Sequence, residues 1–407
     1  MDTNRVTIAD WLLSEGPRLG GVAAFLVGFI RQLNAAGFEI MRATLMVRTL
    51  HPEIESIRFG WTSEHVEMPP LGRPFFLKQR HTPVDGDVVE EISFSHGAFA
   101  RSAPYQISPY KKLDLGETEI YAPVRTGAQD FPIVEDIQKA GGTAYFLTAL
   151  PQLGEAAHRI SFATKKRGGF SEQDLHFLRS LAAPLAAAVE IQLNRLITEN
   201  LMAVYLGLLP AQKVLAGKVK PGDVDAITSA IWFSDLRGYT DLSAKVDPPV
   251  LVEWLNRYFE TISAPIVENG GEVLKYMGDA VLAIFPVENG DRTKAAHAAL
   301  AAADAADKAL AIFNTERAEA KLPLIRHGIA LHIGDVQYGN IGANRRLDFT
   351  VIGPAVNKAA RIESLCKETG RALLFSADFA AFVAGAQRVG EFKLKGIEEP
   401  ETVFARD

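Results

Sequence analysis

Two aspartates stand where short apolar runs give out. In "IWFSDLRGYT" (231–240) the strand-like Ile231-Trp232-Phe233 yields within two residues to Asp235, then to Arg237 and Gly238. In "EVLKYMGDAVLAIF" (272–285) two strand-like segments flank Gly278-Asp279, the pattern of a tight hairpin. Either aspartate alone is by default a turn former or a cap. Two carboxylates at one sheet edge are different, because they repel unless a cation neutralises them, and hard oxygen ligands suit Mg²⁺. Lys275, four residues before Asp279, reads by default as a solvated strand lysine. In "VIGPAVNKAARIES", Asn357 and Arg361 are spaced i, i+4 and share a helix face. Ala355, Ala359 and Ala360 around them leave room for a bulky ligand. Arginine suits a phosphate charge, and asparagine can orient a sugar or a water.

The elements that must position these residues form a clear alternation from Ala226. "AITSAIWFSD" is a strand, and Asp247 then caps a helix with Pro248 in its first turn. Val250, Leu251, Trp254, Leu255, Tyr258, Phe259, Ile262 and Ile266 keep helical spacing, and Asn269-Gly270-Gly271 stops the helix. The Gly278-Asp279 hairpin, an Ala-rich helix over about 292–316 and the strand "IRHGIALHIG" follow. The order βαββαβ predicts an α+β, ferredoxin-like sheet whose first and middle strands are neighbours, which brings Asp235 and Asp279 to one edge. "LDFTVIG", the helix "PAVNKAARIESLCKE" and a β-rich tail complete the chain.

The first 200 residues read as a separate α/β domain. "RATLMVRTL" and "IESIRFGW" make a hairpin around His51-Pro52-Glu53; "TAYFLTAL" and "HRISFAT" are strands joined by a polar connection at 151–157. Ser171 and Asp174 form a capping signature, with Phe170 and Leu175 at the staple positions. The helix continues, with a kink expected at Pro184. Val189, Leu193, Leu196, Leu201, Val204 and Leu208 recur at spacings of three to five. That fits a short two-chain coiled coil interrupted by Asn200, and equally a helix packed on its own domain. "AGKVKPGDVD" (216–225) marks a boundary, so the expected organisation is a domain over 1–195, a helical linker over 196–225 and a second domain over 226–407.

Bulk properties agree. A chain of 407 residues predicts two domains, and 48% hydrophobic with 23% charged residues is a globular composition. A net charge of −6 gives no reason to expect nucleic acid. Cys366 is the only cysteine, which leaves no disulfide or cysteine zinc site within the chain. The apolar run at 22–30 falls short of the roughly 20 residues of a membrane span, and Met1-Asp2 lacks the basic start of a signal peptide. A cytoplasmic protein is the expectation.

"FSDLRGYT", "KYMGDAVLAIF", "GIALHIGDVQYGNIG", "RRLDFTVIGPAVNKAARIE" and "FKLKG" together resemble the successive signature blocks of class III nucleotidyl cyclases, over about residues 226–405. The resemblance implies a ferredoxin-like catalytic domain, paired head to tail with a second copy, that converts ATP to 3′,5′-cyclic AMP and pyrophosphate. It implies that Asp235 and Asp279 hold two Mg²⁺ (or Mn²⁺) ions, with the backbone of Leu236 on one of them. Lys275 and Thr350 of the other subunit would recognise adenine, Asn357 would orient the ribose, and Arg361 would stabilise the transition state. Arg345 and Lys395, or its neighbour Lys393, would reach the phosphates. The turn at Gly238 would approach the triphosphate closely, with the Gly238 and Tyr239 amides donating to it.

Lysine at 275 accompanies ATP in this family, where guanylate cyclases carry an acid; it donates to adenine N1, a ring acceptor. Thr350 stands where many relatives have aspartate, and its hydroxyl accepts from the 6-amino group. Threonine there also resembles a subclass described as bicarbonate-responsive. Pro354 stands where an acidic residue is commoner. A catalytically inactive scaffold should have lost a metal aspartate or the Asn/Arg pair, and all four residues are present. Residues 1–195 resemble a GAF-like sensory domain through "TAYFLTALP", "HRISFATKK" and "GGFSEQDLHFLRSLAAPLAAAVE". That resemblance implies either a small-molecule ligand or a dimerisation role.

Overall fold

The computed structural model describes residues 3–63, 78–151, 158–343 and 345–406. They divide into two units, one ending at Leu201 and one starting at Met202.

The first unit is built on an antiparallel sheet of β1 (Ile40–Arg48), β2 (Ile54–Thr62), β3 (Lys78–Val84), β4 (Asp87–Ser95), β5 (Glu119–Pro123), β6 (Ala144–Ala149) and β7 (Arg159–Thr164), in the order β3-β4-β2-β1-β7-β6-β5. The hairpin around residues 51–53 forms with Arg48 opposite Ser56. Residues 152–157 of the expected polar connection lie outside the described residues. Alternation along β1 sends Ala43, Leu45 and Val47 into a core with Phe25 and Phe29 of the helix Val22–Ala35 and with Leu178, Leu185 and Val189 further on.

The capping box at Ser171 is complete, each partner bonding the other's backbone, and Phe170 and Leu175 are both buried. The kink expected at Pro184 shows as an interruption at Leu181, within the turn that a proline disrupts. One helix ends at Ser180 and a new one, Ala182–Leu206, begins after Leu181. Pro184 lies in the first turn of the second helix, and its missing N–H omits the bond to Ser180 between those of Leu181 and Leu185. The apolar repeat on that helix divides between its two readings: Val189 and Leu193 are buried, whereas Val204 is exposed, as is Leu208 just beyond Gly207. Among the described residues no helix is long and apolar enough to cross a membrane.

The second unit contains β8 (Val224–Leu236), β9 (Glu272–Met277), β10 (Ala280–Pro286), β11 (His327–Ala343), β12 (Arg346–Ile352), β13 (Leu373–Ser376), β14 (Gln387–Phe392) and β15 (Glu401–Ala405). The sheet order is β14-β15-β13-β11-β8-β10-β9, with β12 on β11. Its central β11-β8-β10-β9 segment is antiparallel throughout and is the expected βαββαβ arrangement. The helices Pro248–Glu268 and Arg292–Glu319 cover one face. Tyr258, Ile262 and Ile266 of the first meet Ala299, Ala303 and Ala306 of the second over Trp232, Val281 and Leu331. Small alanines let the longer helix approach the sheet closely.

Asp247 occupies the N-cap position but makes no capping bond, contrary to expectation. Consecutive Pro248 and Pro249 place two donorless residues in that first turn. The strand expected at "IRHGIALHIG" runs on for 17 residues and carries β12 on its far half.

Glu272 is buried in this unit at 7% exposure, where Tyr338 donates to it at 2.8 Å. Burial pushes its carboxyl up to about 7, against the Tyr338 hydrogen bond and the charge of Lys213. A carboxyl held above its unfolded value loses stability as pH rises from about 4.5 to 7, because the native state must give up a proton the unfolded state has already released. Glu272→Gln is therefore expected to stabilise the protein at pH 8 by about 1–3 kcal/mol and to change little at pH 5. Melting curves at the two pH values check this; equal shifts at both would refute it.

Candidate active site

β8 delivers Asp235 one residue before its end, and β10 pairs beside it with Val281 opposite Ser234. Asp279 occupies the β9–β10 turn, next to Gly278 in the left-handed region at φ 68°. The two carboxyls hydrogen-bond to each other. Burial first, then that bond and the charge of Asp235, push Asp279 up to about 7. The Leu236 N–H donates to Asp235 Oδ1 at 3.0 Å and also supports Asp279. Two carboxyls brought this close repel when both are ionised, and that is the repulsion a cation would relieve. That donor set fits a divalent cation. Among the described residues no group of three or more His, Cys, Asp or Glu side chains is arranged to hold a metal by itself, so other positions would fall to substrate oxygens and water.

Gly238, at φ 75° with open space around it, turns the chain out of β8, and Tyr239 begins the short helix Tyr239–Ser243. The Arg237 N–H bonds the Arg326 carbonyl, and its guanidinium bonds that of Arg371, which fixes the loop after Asp235.

Lys275, partly exposed on β9, lies 3.6 Å from Asp348 of β12. Two residues further along β12, Thr350 is buried at 3% exposure, and its hydroxyl has no hydrogen-bond partner.

Asn357 and Arg361 lie on the exposed face of the helix Pro354–Thr369, whose opposite face buries Ala355, Ala359, Ile362 and Cys366. The helix begins at Pro354 itself, an ordinary first-turn position for proline. Arg345 is exposed in the β11–β12 turn, and Lys393 and Lys395 are exposed beyond β14. The aspartate pair is therefore assembled in one place, and Lys275 meets β12 through Asp348, two residues before Thr350. Arg361 is directed elsewhere: Glu363, two residues on and about 200° around the helix, is the one that faces Asp235.

Sequence reasoning missed three residues around these groups: Glu363, Arg237 and Asp348. Burial, then the charges of Asp235 and Asp279, push Glu363 up to about 7, while Arg237 opposes. The helix reaches the sheet there because β11 offers Gly328, opposite Asp235; a Cβ on it would come within 2.5 Å of Glu363 Oε1 and 2.9 Å of Cys366 Cβ. The signal for Glu363 was its place in "RIES" beside Arg361, and that for Asp348 its i, i+2 spacing from Thr350 on one strand face.

The family model described as the adenylate and guanylate cyclase catalytic domain matches residues 220–405. An adenylate cyclase of Anabaena cylindrica is 33% identical over 284 residues, covering 65% of this chain and 54% of that protein. Adenylate cyclase 1 of Rhizobium meliloti is 28% identical over 262 residues, covering 62% of this chain and 37% of that protein. The chain thus spans about half, or less, of the length of these relatives. Among solved structures, the adenylyl cyclase CyaB from P. aeruginosa aligns over 44% of this chain and 94% of its own, at 26% identity and a TM-score of 0.41.

Proposed function

Residues 220–405 belong to the class III adenylate and guanylate cyclase catalytic domain family, and from that premise we propose that the chain converts ATP to 3′,5′-cyclic AMP and pyrophosphate at a site completed by a second copy. The observation that carries the reading is the meeting of the Asp235 and Asp279 carboxyls, hydrogen-bonded to each other at one sheet edge. Asp235, Asp279 and the Leu236 backbone would hold Mg²⁺ or Mn²⁺, two ions per site, which would supply Lewis acidity for attack of the ribose 3′-hydroxyl on the α-phosphorus. Gly238 and Tyr239 offer backbone N–H groups to the triphosphate, and Arg345 and Lys395 add charge for the phosphates.

From the second copy, Asn357 orients the ribose and Arg361 meets the charge that develops on the phosphoryl oxygens. Lys275 donates to adenine N1, the buried Thr350 hydroxyl accepts from the 6-amino group, and Asp348 holds Lys275 in place. The proposed role of that copy is supported by the helix Pro354–Thr369, which turns Arg361 away from the aspartates of its own chain. For residues 1–195 the GAF-like reading is supported by the adjacency of β6 and β7 and the capping-box helix that follows.

Incubating the purified chain with ATP or GTP and Mg²⁺ or Mn²⁺, with chromatography of the products, tests the reading. Cyclic AMP is expected to form at least about 10-fold faster than cyclic GMP, the discrimination that a lost buried hydrogen bond commonly produces. Cyclic GMP as the main product, or no cyclic product at all, overturns the assignment.

A further inference from the structure

The face of the first unit's sheet opposite the helix Val22–Ala35 is not completely filled. Arg42, Thr44 and Met46 of β1 point there, alternating with the core residues between them. Arg58 of β2, Tyr145 of β6 and Ser161 of β7 join them. Residues of the short helices Ala98–Arg101, Ala103–Gln106, Pro109–Asp114 and Pro132–Lys139, with the turns between them, close over this face. They leave a cavity of about 200 Å³.

Two groups on the wall are guanidiniums, which are seldom placed under cover. Arg58 is only 8% exposed. Glu90 of β4 accepts from its terminal nitrogen, but the buried Nε–H has no partner. Burial above all, then the like charge of Arg42, holds Arg58 down at about 10 against the pull of Glu90. Burial lowers Arg42 as well. The Tyr110 and Tyr145 side chains converge on Ser161 beside them. Much of the remaining wall is apolar, as at Phe99, Ile107 and Ile133. Asp136, the one carboxylate among the described lining residues, has Lys139 at 3.8 Å.

The geometry points to a binding site for a small organic acid, its apolar body in the cavity and its carboxylate on Arg42 and Arg58 with the tyrosine hydroxyls. Guanidiniums and carboxylates form strong charge-assisted hydrogen bonds, and a buried cation gains most from a counter-charge that arrives already shaped to it. The size is adequate, since an engineered apolar cavity of about 150 Å³ admits benzene. A neutral analogue would leave the Arg58 Nε–H unmet, and a cationic one would meet two like charges.

Calorimetric titration of the full chain with benzoate, benzyl alcohol and benzamidine tests the site. Benzoate is expected to bind at least about 10-fold more tightly than benzyl alcohol, and benzamidine not at all, the separation that one buried charged hydrogen bond provides. Arg42→Met keeps the bulk and removes a charge. It should cost benzoate at least about 10-fold in affinity and leave benzyl alcohol unchanged; some loss of melting temperature is expected, because the groups that act on Arg42 lose their charged partner. Should that variant fail to fold, the wild-type comparison of the three probes decides alone. Benzoate no tighter than benzyl alcohol, or unaffected by Arg42→Met, overturns the proposal. The readout is binding rather than cyclic nucleotide, so it stands or fails apart from the cyclase reading.

Discussion

Asp279→Ala is expected to lower cyclic AMP formation by about 10²- to 10³-fold or more, the range for losing one preorganised charge-stabilising group. The same change should make the metal-free protein more stable at pH 8. With its carboxyl held up at about 7 by burial and by Asp235, Asp279 is ionised beside a second carboxylate above that pH, and removing it relieves the repulsion. At pH 5 Asp279 is protonated and the pair is hydrogen-bonded, so the substitution should bring no gain there. Stabilisation by added Mg²⁺, seen in wild type as a rise in melting temperature that strengthens from pH 6 to pH 8, should disappear. Inactivity without loss of fold separates a cation site from a structural turn. Turnover near wild type, or an intact Mg²⁺ shift, would remove Asp279 from the metal site.

Lys275→Glu should carry the second-largest effect. The lysine is one-third exposed on β9 and makes its ion pair with Asp348, so its loss leaves the core untouched. A glutamate there cannot donate to adenine N1 and stands against Asp348 as a like charge. kcat/KM for ATP is expected to fall about 10²-fold or more, in keeping with a site that recognises a ring nitrogen by one charged donor, while turnover of GTP falls less. Asp348→Asn should act in the same direction but more weakly, through loss of Lys275 orientation. An unchanged ratio of ATP to GTP turnover in Lys275→Glu would show that the base is read elsewhere.

Much of the second unit was legible because its signals are local. The β9–β10 turn, the helix stop at Asn269-Gly270-Gly271 and the order of strands and helices are each written within a few consecutive residues. From that order the meeting of Asp235 and Asp279 followed, and they do meet. Features that depend on contacts far apart in the chain were not legible. Glu363 gains its surroundings only when the helix lands on Gly328, and Arg58 becomes a cavity residue only under the cover of residues 98–136. Competing local effects account for other differences. Pro184 interrupts the helix as expected, but the break shows at Leu181, because proline removes the bond to the carbonyl four residues before it. Asp247 sits at a helix start whose tandem prolines offer it few N–H groups. The repeat from Val189 to Leu208 is uniform in sequence but not in burial, since only its first part has a core to enter.

The contact at Gly328 has a mechanical side. With no side chain between them, the backbone of β11 and the helix Pro354–Thr369 are clamped at the level of Asp235, and Cys366 is sealed beneath. The helix cannot slide along the strand without carrying the aspartate edge with it. This part of the unit then behaves as a stiff block bearing Asp235 and Arg361 on different flanks. In an assembly of two such blocks, the adjustable quantity is the gap between them rather than the shape of either. If a second copy completes the site as proposed, a single residue with no side chain would turn the rate into a question of how two rigid bodies are held.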